Sequence, residues 1–340
     1  MHRISRMLIG ALASSGLWMM CSGAGAEDGP VQMTNRLCYT PAPTVQALPV
    51  MAAEIHVTGG TEPGKEPILA LPEMEAGVDS PAFAAAPEEA TVLETTIEGG
   101  MSIKNQTGYF VDAGKLLKSG PGLTLPAGEP QVLIIHTHSS EAYTQAGLDR
   151  YQPTDTNRTE DTQFNIVRIG DELADILGQE GLKVIHDRGI YDYPSYTGSY
   201  GRSGEAVARY LESYPGIKLV LDVHRDALGS DTVVYKTMAE EEGVCASQVM
   251  LLVGSDDSGL EHPGWQQNMA LAIYLQNAAV QRSPTLMRPI SLVRERYNQH
   301  LSPGALIVEV GSAGNTLQEA LAGVRLFGRA IGPALRELVE

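Results

Sequence analysis

Cysteine is scarce in this chain: 340 residues contain three of them. Cys21 lies in an N-terminal apolar run and follows Trp18-Met19-Met20 rather than the small residues of a lipoprotein cleavage site. Cys38 and Cys245 fall in segments of different character, a tail and a domain. They read as two unrelated thiols, although an oxidising compartment would permit pairing. Cysteine is therefore not a candidate metal ligand. Positive charge is also short, with 24 Lys and Arg against 41 Asp and Glu and a net charge of −17. Nucleic acid selects basic surfaces because bound phosphates release counterions, so it is excluded as a partner, and general attraction to anionic headgroups goes with it. No second apolar run long enough to span a membrane follows the first. H-E-x-x-H, the Walker lysine loop and the G-x-S-x-G elbow are all missing, which removes three common catalytic designs.

What is present begins with an export signal. His2, Arg3 and Arg6 precede an apolar run from Met7 to Cys21, and Ala24-Gly25-Ala26 stands just before Glu27. That is the order of a secretory leader over 1–26, with a positive start, an apolar centre and a small-residue cleavage site. An uncleaved membrane anchor is the alternative, since Met7 to Ala26 is just long enough to span, but its small residues and glycines favour cleavage. Residues 27–91 are rich in Pro, Ala and Glu without a sustained period, and read as an extended linker that gives the domain reach. Residues 92–340 read as the catalytic domain. The overall 43% hydrophobic and 19% charged content suits one or two globular domains.

The periodicity of that domain alternates. Apolar runs at Val132–Ile135, Lys183–Ile185, Leu219–Val223, Val249–Val253, Ile290–Val293 and Leu306–Val310 predict strands. Helical spacing of Ile166, Ile169, Leu173, Ile176 and Leu177 predicts a helix closed by Gly181. Further helices are predicted over Gly204–Tyr214, Trp265–Gln281 and, after an Asn315/Gln318 cap, through Leu317, Leu321, Val324 and Ile331. Alternation of this kind predicts an α/β fold, a mainly parallel sheet with helices on both faces. Ligands in such folds bind beyond the carboxyl ends of the strands.

Three polar clusters occupy those ends: His136-Thr137-His138-Ser139-Ser140-Glu141, Asp222-Val223-His224-Arg225-Asp226, and Glu309 between Val308 and Val310. Charges on apolar strands are expensive to bury unless paired or bound to metal. Catalytic zinc takes three protein ligands and leaves a fourth position for water. The spacing His138-x-x-Glu141, with His224, supplies such a set of ligands, and Glu309 would then be the general base. His136, two residues deeper in the strand, is read as structural. Glu309 could instead pair with Arg225 or Arg294. Asp161 could join the metal site, but Thr159-Glu160-Asp161 also makes an ordinary helix N-terminus and capping is preferred. Tyr193 and Tyr196, in a tyrosine-rich loop, are either surface residues or a groove wall for glycan or peptide. Arg225 and Asn298 complete the substrate-contact candidates.

These segments resemble a known family. VLIIHTHSSEAYT (Val132–Thr144), NIVRIGDEL, HDRGIYDYPSYTGSYGRS, LVLDVHRDA, RYNQHL and LIVEVGSAGNTL occur in order between Gly99 and the C-terminus, as in the stage II sporulation protein P family. The resemblance implies a fold similar to zinc amidases and carboxypeptidases. It implies zinc-dependent cleavage of the amide between muramic acid and L-alanine in peptidoglycan, with a possible second cut in the peptide cross-links. It further implies a role in forespore engulfment on the extracytoplasmic face of the membrane or in the intermembrane space around the forespore, with stage II sporulation proteins D and M as partners. The membrane itself is a partner only if the N-terminal segment stays uncleaved. Carried onto this chain, His138, Glu141 and His224 take the metal roles and Glu309 the catalytic one. Two other readings stay open: a stem-peptide carboxypeptidase or endopeptidase, and a wall-binding scaffold without turnover.

Overall fold

A computed structural model describes residues 101–229, 234–241 and 243–340, with the backbone alone over 92–97. The leader expected at 1–26 and the linker expected at 27–91, with Cys21 and Cys38, lie outside the described residues. The strands are β1 (Val92–Ile97), β2 (Met101–Asn105), β3 (Val132–Ile135), β4 (Val184–His186), β5 (Leu219–Asp226), β6 (Met238–Glu241), β7 (Val244–Ser247), β8 (Val249–Val253), β9 (Ile290–Leu292) and β10 (Gly304–Ser312). The helices are α1 (Ala113–Ser119), α2 (Ile166–Gln179), α3 (Ser199–Ser213), α4 (Trp265–Arg282) and α5 (Leu317–Arg336). Among the described residues no helix is long and apolar enough to cross a membrane.

Eight strands form one sheet in the order β1-β2-β9-β8-β10-β5-β3-β4, and β6 and β7 pair separately as an antiparallel hairpin. The sheet is mainly parallel, as the alternation of elements predicts, but it consists of two parallel blocks, with β1 antiparallel to β2 at one edge. β4, β3, β5 and β10 run one way. β8, β9 and β2 run the other, joined through the antiparallel β10–β8 pair. The carboxyl ends of β3, β5 and β10 therefore share one rim.

The two faces are covered unequally. Leu221 and Val223 of β5, with Leu306, Val308 and Val310 of β10, enter a large apolar core with α2, α4 and α5. Each such side chain contributes about 1.5–3 kcal/mol on burial. The alternate residues Leu133, Ile135, Val220 and Ala305 meet a smaller cluster formed mainly by α3. Beyond that helix the second face is free for polar groups.

Several element ends differ from the sequence reading for local reasons. The α2 cap is Asn165, whose side chain accepts from Val167 N, while Asp161 accepts from Gln163 N in the turn ahead of it. The α5 cap is Thr316, in a reciprocal capping box with Glu319; Asn315 is instead buried and donates to Thr237 O. α3 starts at Ser199, ahead of the predicted Gly204, because polar Ser199, Tyr200 and Arg202 disguise its first turn. β5 runs past its apolar stretch, so His224 lies inside the strand and not after it, while Glu309 lies inside β10 as its place between Val308 and Val310 predicts.

Candidate active site

Alternation along β5 and β10 places the chemistry. Asp222 and His224 point to the thinly covered face, and their register partners on β10 are Ile307 and Glu309. Glu309 thus stands directly beside His224. The β3 rim supplies the rest, with a tight turn in which Glu141 N donates to His138 O at 3.1 Å. Thr137 ties that turn to β5, its N and Oγ1 donating to Asp222 at 2.8 and 2.6 Å. His138 and His224 meet edge to face with ring centroids 5.2 Å apart, and His224 Nδ1 is 3.4 Å from Glu141 Oε2. The structure therefore brings His138, Glu141, His224 and Glu309 into one cluster.

Each group is perturbed for a stated cause. Burial pushes the His138 imidazole down to about 3, against the opposing charge of Glu141, so it is neutral at pH 7. Burial would raise Glu141, but Arg225 and the hydrogen bond from His224 outweigh it and hold the carboxyl well below its ordinary range. Burial would lower His224 too; the carboxylates of Asp222 and Glu141 prevail and hold it well above the histidine range. Burial is the main cause raising Glu309 to about 8, with Asp226 adding to it and His224 opposing. Glu309 Oε2 is buried without a hydrogen-bond partner. So is His224 Nε2, which lies 2.9 Å from Asp222 Oδ1 but is poorly aligned for a hydrogen bond.

The substrate-contact candidates fall in different places. Tyr196 is 44% exposed, stacks on His138 at 4.5 Å and puts its hydroxyl 3.0 Å from His138 Nε2. Tyr193 is equally exposed in the same loop. Asn298 donates to Tyr200 O and Ser203 Oγ beneath α3. Arg225 is buried, and its guanidinium donates to the backbone carbonyls of Ala142 and Asn157. Neither it nor Arg294, which pairs with Asp257, holds Glu309 in an ion pair.

Three further residues gain roles that sequence spacing does not reveal. Asp192 accepts from Ser140 N, Ser140 Oγ and Arg158, and so anchors the tyrosine loop to the β3 turn. Arg158 also reaches Glu141 at 3.6 Å and lies 5.0 Å from the Tyr196 ring centroid. His186 pairs with His136, Nε2 to Nε2 at 2.8 Å, while His136 Nδ1 donates to Val223 O. His136 is fully buried behind the site, in the structural place expected of it. The signal available was slight: Asp192 between two tyrosines, Arg158 in a polar loop, and His186 at the end of the short strand β4.

The donor chemistry suits zinc, with one neutral imidazole, a second imidazole and an ionised carboxylate within a few ångströms. The unpartnered Glu309 Oε2 fits a site that takes a further group. The side chains as they stand satisfy one another instead: among the described residues no three His, Cys, Asp or Glu converge on a common ligand point.

Comparison with known proteins follows from the whole domain. The stage II sporulation protein P family model matches residues 78–332. Stage II sporulation protein P of Bacillus subtilis (strain 168) is 23% identical over 252 residues, 69% of this chain and 58% of that protein. The chain therefore spans less than two thirds of that relative's length. Among solved structures, the CwlD amidase of Clostridioides difficile in complex with the GerS lipoprotein is 12% identical, covering 61% of this chain and 98% of that one, with a TM-score of 0.37. An apo N-acetylmuramyl-L-alanine amidase from Mycobacterium abscessus is 13% identical, covering 62% and 99%, with a TM-score of 0.38. With three quarters of its length matched by one family model, the chain belongs to the stage II sporulation protein P family.

Proposed function

We propose that this chain is an exported peptidoglycan hydrolase of sporulation that cleaves the amide between muramic acid and the L-alanine of the stem peptide. The observation that carries this reading is a buried, unpartnered Glu309 carboxyl in register with His224, next to the His138–Glu141 turn. Family membership supports the sporulation setting and an extracytoplasmic location, with forespore engulfment as the process and stage II sporulation proteins D and M as partners.

His138, Glu141 and His224 would hold a zinc ion, which when bound supplies Lewis acidity to the scissile carbonyl and to an attacking water. Everything else belongs to the chain. Glu309 Oε2, free of other bonds, accepts the proton of the water and returns it to the leaving amine of L-alanine. A carboxyl raised to about 8 holds a proton well enough to deliver it, and ionises as a cation approaches. Tyr196, stacked on His138 and partly exposed, orients that ring and offers a wall to substrate. Asp222 fixes β3 against β5 through Thr137, so the ligands are held before substrate arrives.

Digestion of purified peptidoglycan with added zinc, read by mass spectrometry, tests the proposal. Stem peptides bearing a new L-alanine amine terminus are expected from the wild type and not from Glu309→Gln. Products cut only within the stem peptide would replace the amidase by a peptidase. Turnover that survives Glu309→Gln would remove Glu309 from the mechanism.

A further inference from the structure

The candidate site is crowded with carboxylates, yet the proposed substrate is itself an acid. Its cationic side chains are therefore worth following one by one. Arg225 is buried and spent on backbone carbonyls. Arg158 is divided among Ser140, Asp192 and Glu141. Arg288 differs. It precedes Pro289, which favours extended backbone, and Arg288 N donates to Val249 O as Met287 pairs with Val249.

Alternation then settles its face. Met287 packs on the large apolar core, as do Val249 and its partner Val310. Arg288 must point the other way, with Met250 and its β10 partner Glu309. There it pairs with Asp226, the carboxylate whose charge Glu309 feels, at 2.7 Å through Nη1 alone. Its side chain keeps 19% of its surface exposed, and Asp226 is its one side-chain partner among the described residues. Among the described residues Nη2 and Nε make no hydrogen bond, and they lie on the sheet face that carries Glu309, in a fork suited to a carboxylate.

We propose that Arg288 is the substrate-anchoring residue of this site and binds a free carboxylate of the stem peptide, with Asp226 holding its guanidinium in place. The inference rests on the hydrolase reading for the identity of the peptide. Binding and turnover separate the two ideas. The full chain is titrated calorimetrically with a synthetic stem tripeptide carrying its glutamyl carboxylate free, and with the same peptide carboxamidated there. The wild type should bind the carboxylate form roughly ten- to a hundredfold more tightly, the range of a charge-assisted pair. Arg288→Gln should erase that ratio with the circular dichroism spectrum unchanged, and Arg288→Lys should restore part of it. Arg294→Gln, an exposed arginine held by Asp257, should leave it intact. Equal affinity of the wild type for both peptides, or a ratio that survives Arg288→Gln, overturns the proposal. A preserved ratio in a protein that releases no peptide from the wall sinks the hydrolase reading alone.

Discussion

Glu309 offers the sharpest test, because its environment dictates a pH dependence that its neighbours do not share. Its carboxyl has an ordinary value of 4.5 and is raised to about 8 in the folded chain, chiefly by burial. The folded state therefore holds this proton more tightly than the unfolded state does. Its contribution to stability is greatest below 4.5, declines as pH rises through that window, and levels off above 8. A carboxyl raised this far loses on the order of 2–3 kcal/mol between pH 6 and pH 9. Glu309→Gln keeps the size and the neutral form but removes the titration. Urea unfolding of both proteins in EDTA, at pH 6, 7, 8 and 9, measures the difference. The variant should gain on the wild type by about 2–3 kcal/mol across that range, since groups away from the site titrate alike in both proteins. Parallel stability curves would show that Glu309 is solvated, and would remove the reason for assigning it the proton transfer.

Zinc affinity by calorimetry should separate ligands from base. His138→Ala, Glu141→Gln and His224→Ala should each weaken binding at least ~10-fold, while Glu309→Gln should leave it within a few-fold at pH 8 and above and lower turnover by about 10²–10⁴. Asp192→Ala should cost about 1–3 kcal/mol in urea unfolding, because it leaves the buried Ser140 amide unpaired and takes one of the two carboxylates that Arg158 meets. Two glycines of α2 should respond in opposite ways. A methyl on Gly170 would meet the Nε2 atoms of His136 and His186 at 2.4 Å each, so Gly170→Ala should destabilise by about 1–3 kcal/mol. Nothing lies within 4 Å of a methyl on Gly178, so Gly178→Ala should raise stability by about 0.5–1 kcal/mol.

Much of the fold is legible in the sequence because burial writes itself as periodicity. The run Val132–Ile135 is buried at every position, and the stripe Leu317, Leu321, Val324 and Ile331 of α5 faces the core. Strand direction leaves no such trace. Nothing in Val249–Val253 says that β8 runs against β10, and the division of the sheet into two blocks emerges only from pairing. The β6–β7 hairpin is hidden by Glu240 and Glu241, which read as surface charge. His138, Glu141, His224 and Glu309 stand out because charges interrupt apolar strands. Asp192 and Arg158 do not, because their loops are polar, nor does His186, which ends the short strand β4; the partners lie 34 to 52 residues away. Arg288 escapes notice for the same reason. Proximity to His224 marks Arg225, whereas only register shows that Arg288 shares a face with Glu309.

The arrangement also explains why Asp222 and Glu309 sit inside strands and not on loops. On a loop they would turn away from each other and from Glu141, and each would take up water. Here β5 and β10 are locked by their ladder, and the other face of both strands is committed to the large core. The acids cannot separate without tearing apolar residues from that core, so mutual repulsion is held in place. Protons relieve it in two ways, by keeping His224 charged between Asp222 and Glu141 and by keeping Glu309 neutral. A divalent cation would relieve it better, since one ion would oppose all these carboxylates at once. Cation binding should then release a proton from Glu309 or His224, so the zinc affinity of the wild type should rise with pH between 6 and 8 more steeply than that of Glu309→Gln. Equal slopes for the two proteins would mean that the strain around Glu309 is not coupled to the ion, and that the carboxylate stands outside its field.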